Sequence, residues 1–225
     1  RGEWRRETLA VGGANLTLHG WSFPQQTVRI SPLTGQRFDR GLGVNLGLLH
    51  CDRDQSGSAY NPVTSTELNA AGLDGWLLGH IHKPDALSVE RPIGYLGSAT
   101  GLDPGEPGKR GPWLFTIEEG RIASVEQWSC APLRWERLQI DLTGIEAAED
   151  VRDRLLEAVN ELDVELSTLP SPPEVVGVRV TFAGRTDFRR AVEALLDAED
   201  LDTLPDGGGH IHYFVEHIRH ITLPN

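Results

Sequence analysis

The chain is predicted to be α+β, with a strand-rich first part over residues 1–142 and a smaller α/β part over residues 143–225. Three observations predict this. Short apolar or alternating runs, among them 44–49, 76–78 and 113–117, are bounded by Gly, Pro and Asp, the pattern of strands closed by turns. Composition shifts near Thr143-Gly144. Beyond that point two amphipathic stretches of helical period alternate with two strand-like runs, the mark of packed β/α units.

The elements follow in order. Residues 1–7 are charged and read as frayed or helical. Residues 15–21 alternate and read as a strand, and residues 31–41 form a loop punctuated by Pro32, Gly35 and Gly41. The run 44–49 is a buried strand ending at His50. A polar loop, 52–62, leads to a short helix begun by Thr64-Ser65-Thr66-Glu67 and closed at Gly72. A hydroxyl cap with an early acid favours that start, and glycine that stop. The strand 76–79 completes a β-α-β unit, consistent with parallel pairing. Residues 92–97 form a further strand. A Gly/Pro-rich loop runs to Gly111, and residues 113–117 and 122–128 flank Glu118-Glu119-Gly120-Arg121 as a hairpin. Residues 134–142 alternate and lead out of the first domain. In the second domain, 145–166 is a helix, 175–182 a strand, 187–198 a helix and 210–218 a final strand.

Composition excludes several classes. With 39% hydrophobic and 24% charged residues, the chain is an ordinary globular one. No segment reaches the length of a transmembrane helix and no signal peptide opens the chain, so no membrane is expected and the Asn15-Leu16-Thr17 sequon is set aside. Cys51 and Cys130 are the only cysteines, which favours a reducing, cytoplasmic setting over a disulfide framework. A net charge of −12 argues against nucleic-acid binding by bulk charge, although a local basic groove is compatible with it. The chain begins at Arg1 and contains no methionine; the expectation is part of a longer protein.

Two strand ends carry the chemistry. Trp76-Leu77-Leu78 runs into Gly79-His80-Ile81-His82, and Leu48-Leu49 runs into His50. Histidines two apart on extended chain point to one side, and glycine lets backbone or ligand come close. Paired imidazoles at strand tips suit a borderline metal. The two tips suggest one site at the edge of one sheet.

Leu48-Leu49-His50, Gly79-His80-Ile81-His82-Lys83-Pro84, Tyr95-Leu96-Gly97-Ser98 and Gly108-Lys109-Arg110-Gly111, in this order and spacing, resemble the calcineurin-like metallophosphoesterases. Within them the likeness is greatest to the DNA-repair exonuclease branch (SbcD/YhaO-like), and it runs from about Leu16 to Leu142. The resemblance implies a two-layered β-sandwich with flanking helices, of which this chain would carry the C-terminal part, followed by a capping domain over 143–225. It implies two divalent metal ions, manganese with iron or zinc as alternatives, with His50 and His80 on one and His82 on the other. It implies hydrolysis of DNA phosphodiester bonds, homodimerisation and an SbcC-like ATPase partner with a long coiled coil. The family's D-x-H, G-D and G-N-H-D/E motifs are not found in these residues, so the catalytic residues are not assigned and this part alone is expected to be inactive. A phosphoesterase for small nucleotides or phosphoproteins, and a non-catalytic regulatory module with an incomplete metal site, are the competing readings.

Other candidates read more plainly. His19 lies within a strand and is a sheet-face side chain. Asp52 and Asp54 lack the glycine and closing glutamate of a calcium loop. A second Gly209-His210-Ile211-His212 opens a strand. His210, His212 and Glu216 then share an exposed face, and His217 falls on the other side of a regular strand, which disfavours a zinc site. Arg185, Arg189 and Arg190 near a helix start form a solvated face or a phosphate contact. Trp113, Trp128 and Trp135 read as packing rather than base stacking. Tyr95 and Ser98 carry no assigned role.

Overall fold

The computed structural model describes residues 2–196 and 210–223, with side chains through 194 and from 210. The elements in chain order are β1 (Trp4–Val11), β2 (Ala14–Trp21), β3 (Val44–His50), β4 (Asp52–Arg53), β5 (Pro62–Val63), α1 (Ser65–Ala70), β6 (Gly75–Gly79), β7 (Ile93–Tyr95), β8 (Trp113–Glu118), β9 (Arg121–Gln127), β10 (Leu133–Asp141), α2 (Asp150–Ser167), β11 (Val175–Ala183), α3 (Arg189–Leu196) and β12 (His212–His220). The predicted α+β class is what the structure shows. The chain packs as two units, one of residues 1–98 and 112–128, the other of residues 99–111 and 129–225.

The first unit is built on a five-stranded sheet in the order β1-β2-β3-β6-β7. β1 pairs antiparallel with β2, and every later pair is parallel. The charged start of the chain is therefore a strand from Trp4, where a frayed or helical segment was expected. Gly12 and Gly13, at φ 55° and 85°, supply the left-handed turn that a tight hairpin needs. The strand shows no alternation of burial because nearly all of it is exposed. α1 begins with a reciprocal capping box: the Thr64 hydroxyl accepts from the Glu67 amide, and the Glu67 carboxylate accepts from the Thr64 amide. The helix links β3 to β6 as a parallel crossover.

Trp76 centres the core of this unit. It is fully buried, donates from Nε1 to Leu68 O at 3.0 Å, and meets the rings of Trp4 and Phe38 edge-on. Gly47 lies beneath it, and a β-carbon there would come within 2.1 Å of the indole. β8 and β9 form the predicted antiparallel hairpin, turned by Glu119 and Gly120 at φ 49° and 74°.

The second unit has a three-stranded parallel sheet, order β10-β11-β12. β10, expected to lead out of the first domain, is a strand of this sheet, so its residues 133–141 pack with the second unit and not with the part ending at 142. Val151, Leu155, Val159, Leu162 and Leu166 of α2 pack with Val176, Val178, Val180 and Phe182 of β11. α2 starts at Asp150 rather than 145: the Asp150 carboxylate accepts the amides of Glu146 and Ala147, both at 2.8 Å, and holds the preceding turn. Residues 197 and 198 of the second expected helix lie outside the described residues, and so does Gly209 of the second Gly-His-Ile-His.

Candidate metal centre

The parallel register of β3 with β6 sets His50 opposite Gly79. Lacking a side chain, Gly79 leaves room for the His50 ring; a β-carbon there would sit 3.2 Å from His50 Nδ1. The next residue, His80, has φ 106°. That conformation is unfavourable for a residue with a β-carbon and is characteristic of sites where the surroundings over-determine the backbone. The turn brings the two rings together, with His50 Nε2 3.2 Å from His80 Nδ1. The other nitrogen of His80, Nε2, lies 3.2 Å from Asp52 Oδ1, while the second oxygen of Asp52 accepts from the Ser58 hydroxyl. A carboxylate only accepts, so Nε2 of His80 carries the hydrogen, and in neutral His80 Nδ1 accepts from Nε2–H of His50.

Aromatic rings flank the pair. Phe23 meets His50 edge-on at 5.8 Å between centroids, and Tyr60 lies against His80 at 5.2 Å. Burial holds the His50 pKa below the ordinary imidazole value, the neighbouring charges of His80 and His82 add to that, and Asp52 opposes it. The shift favours the neutral imidazole, the form that binds metals. Cys51, wholly buried behind His50, has its thiol pushed up to about 12 by burial and is a core residue, not a nucleophile.

A second layer fixes the loop after β3. The Tyr95 hydroxyl accepts the Arg53 amide at 2.7 Å and donates to Cys51 O at 3.2 Å, so its two bonds bracket Asp52. Asp85 pairs with the Arg53 guanidinium at 2.9 Å and accepts the Tyr95 amide. Asn61 donates to His50 O at 2.9 Å, while its own Oδ1 is buried without a partner among the described residues. From the sequence, Asp52 is weighed only as a calcium-loop acid, Tyr95 carries no assigned role, and nothing points to Asn61. Asp52, two residues beyond His50, held the one legible hint, since it follows the strand period.

The predicted residues are therefore brought together unequally. His50 and His80 are in contact, and His82 is close enough for its charge to act on His50. Two imidazoles and a carboxylate are donors suited to a borderline divalent cation. Yet the nitrogens of His50 and His80 face one another, and among the described residues no group of three or more His, Cys, Asp or Glu side chains is placed to hold an ion. On their own these residues do not complete a metal site. His19 is a buried core residue, its Nε2 3.1 Å from Asn45 Oδ1. His210 and His212 are exposed.

A known protein family and a known relative are similar to this chain. The model of the metallophosphoesterase YhaO middle domain matches residues 135–219, within the second unit. The uncharacterized metallophosphoesterase YhaO of Bacillus subtilis (strain 168) is 26% identical over 168 residues, covering 70% of this chain and 41% of that protein. Both matches support a metallophosphoesterase family. The chain spans about 41% of the length of this curated metallophosphoesterase. No helix among the described residues is long and apolar enough to cross a membrane.

Proposed function

We propose that this chain contributes the imidazole ligands His50, His80 and His82 to the metal centre of a phosphoesterase that hydrolyses phosphodiester bonds, with DNA as its substrate. The observation that carries the reading is the meeting of His50 and His80 at the ends of two adjacent parallel strands, on a backbone strained at His80. Divalent cations, manganese first and iron or zinc otherwise, would supply charge neutralisation and Lewis acidity at the scissile phosphate. The chain's own residues do the positioning. Asp52 orients His80, Tyr95 holds the backbone on both sides of Asp52, and partial desolvation lowers the pKa of His50. The rest of the donor set would come from a longer polypeptide, in keeping with the share of the Bacillus protein that this chain covers. In the same reading the first unit is part of a β-sandwich, the second unit is the capping domain of that branch, and a homodimer works with a coiled-coil ATPase in DNA repair in the cytoplasm.

The test is manganese-dependent hydrolysis by the intact protein of linear duplex DNA, of bis(p-nitrophenyl) phosphate and of a phosphoserine peptide. Degradation of DNA that stops with His80→Ala supports the reading. Turnover of the small diester or the peptide without DNA degradation replaces the substrate. No turnover of any of the three returns the chain to a binding or regulatory module with an incomplete metal site.

A further inference from the structure

The two loops that carry the histidines leave different strands. His50 and Asp52 follow β3, and His80 and His82 follow β6. Their side chains meet at His50–His80 and at His80–Asp52, each at 3.2 Å. Contacts between rotatable side chains do not fix one loop against the other, because each ring can follow its own backbone. Asp85 supplies a tie of another kind. It lies beyond His82 in the same loop, and its Oδ2 accepts from Arg53 Nη2 at 2.9 Å. Arg53 is the residue after Asp52. The pair therefore closes a ring through both loops. The ring runs from Asp52 to Arg53 along the chain, to Asp85 by the ion pair, back to His80 along the chain, and to Asp52 by the hydrogen bond.

Both ends of the pair are held. The Asp85 amide donates to Tyr95 O at 2.9 Å, and Asp85 Oδ2 accepts the Tyr95 amide, also at 2.9 Å. The Arg53 guanidinium lies over the Tyr95 ring, 5.1 Å from the centroid, within cation–π range. A planar guanidinium aimed by a ring and by a carboxylate has little freedom left. The neighbouring glycines leave the room. A β-carbon on Gly94 would come within 2.8 Å of Asp85 Cβ and Oδ2. One on Gly97, which is at φ 76°, would meet Pro84 Cδ at 2.8 Å and His82 O at 2.9 Å. The Ser98 amide donates to that same His82 O at 3.0 Å. Tyr95 and Ser98, whose roles the sequence leaves open, thus seat the histidine loop from His82 to Asp85.

We infer that Asp85 is a positioning residue: its carboxylate, seated on Tyr95 and joined to Arg53, sets the spacing of the His50–Asp52 loop against the His80–His82 loop. Asp85 acts through Arg53 and Tyr95, not on the imidazoles themselves. The side chains of Arg53 and Asp85 are 23% and 33% exposed, so the pair is partly out of water, where charges are screened less than at the surface. The inference rests on the metal-centre reading for what the spacing serves; the tie itself stands without it.

The experiment is NMR of the intact protein, isotope-labelled at histidine and kept in EDTA, reading the NOE between the rings of His50 and His80. Asp85→Asn keeps an acceptor for the Tyr95 amide and removes the charge; Arg53→Gln removes the guanidinium. In each the NOE is expected to fall about twofold or more, with the circular-dichroism spectrum unchanged. In Arg53→Gln/Asp85→Asn the loss should be no larger than in the worse single variant, since both changes act on one tie. Arg40→Gln, which breaks the Arg40–Asp74 pair in the same unit, should leave the NOE as in wild type. Should Asp85→Asn unfold, Arg53→Gln carries the test alone, because it leaves the bonds between Asp85 and Tyr95 in place. Manganese affinity is read separately and is expected to fall about tenfold in the single variants. A wild type that shows the NOE and its loss in the variants but binds no manganese supports the tie and ends the metal reading, so the two failures are told apart. An NOE absent from wild type, or unchanged in the single variants, overturns the inference. So does a loss that adds up in the double variant, or an equal loss in Arg40→Gln, either of which makes the effect a general loosening.

Discussion

Asp52 Oδ1 lies 3.2 Å from Nε2 of His80, on the side of the ring away from His50. The carboxylate thereby fixes which nitrogen of His80 carries the hydrogen and how the ring is turned. A ligand histidine is commonly oriented by such a partner, whose loss costs 10- to 100-fold in metal affinity. Asp52→Asn keeps the shape and weakens the hold. It is predicted to reduce manganese affinity of the intact protein about tenfold, measured by isothermal titration, with the melting temperature little changed.

Tyr95 acts one layer further out. Its hydroxyl accepts from Arg53 N and donates to Cys51 O, and the residue is buried. Tyr95→Phe strands the Arg53 amide, a loss of about 1–3 kcal/mol. The same change frees the loop that carries Asp52. Both a lower denaturation midpoint and a broadened NMR signal from His80 are predicted.

Gly47 and Gly177 each sit beneath a tryptophan ring. A β-carbon would lie 2.1 Å from Trp76 at the first and 2.2 Å from Trp135 at the second. Neither collision involves the free end of a flexible side chain, so the fused rings must move. Gly47→Ala and Gly177→Ala are predicted to cost about 1–3 kcal/mol each, read as urea midpoints. Gly57→Ala serves as the comparison; its β-carbon meets nothing, although φ 84° adds local backbone strain.

Much of this was legible in the sequence, for identifiable reasons. The apolar runs into His50 and Gly79, the cap at Thr64 and the hairpin around Gly120 are local patterns, and the structure has all of them. What escaped depends on partners distant in the chain. β1 is nearly all exposed, so it has no burial period to read. β10 looks like any alternating strand until β11 is placed beside it. The bulge that swings His217 next to Arg179 shows only in the pairing. Asp52 reads as one more polar loop residue until His80 is brought opposite.

Acid should loosen the second unit through specific carboxylates. Asp141 is held below the ordinary range by the Thr143 hydroxyl and amide, Asp150 by the amides of Ala147 and Glu146, and Glu216 by Arg179. A depressed folded pKa contributes stability that is present above the unfolded value, about 3.9 for Asp and 4.3 for Glu, and is lost as pH falls through the folded one. The urea midpoint is predicted to drop below about pH 4, and Asp150→Asn should flatten that drop. An acid limb equally steep in the variant would remove Asp150 from the account.

The most direct measurement is the manganese stoichiometry of the intact protein, by titration with paramagnetic resonance detection of free Mn²⁺, for wild type and for His50→Ala, His80→Ala and His82→Ala. The account predicts bound manganese in the wild type and loss of at least one ion, or a fall of tenfold or more in affinity, in every variant. Equal binding by wild type and all three variants, or none by the wild type, would contradict it.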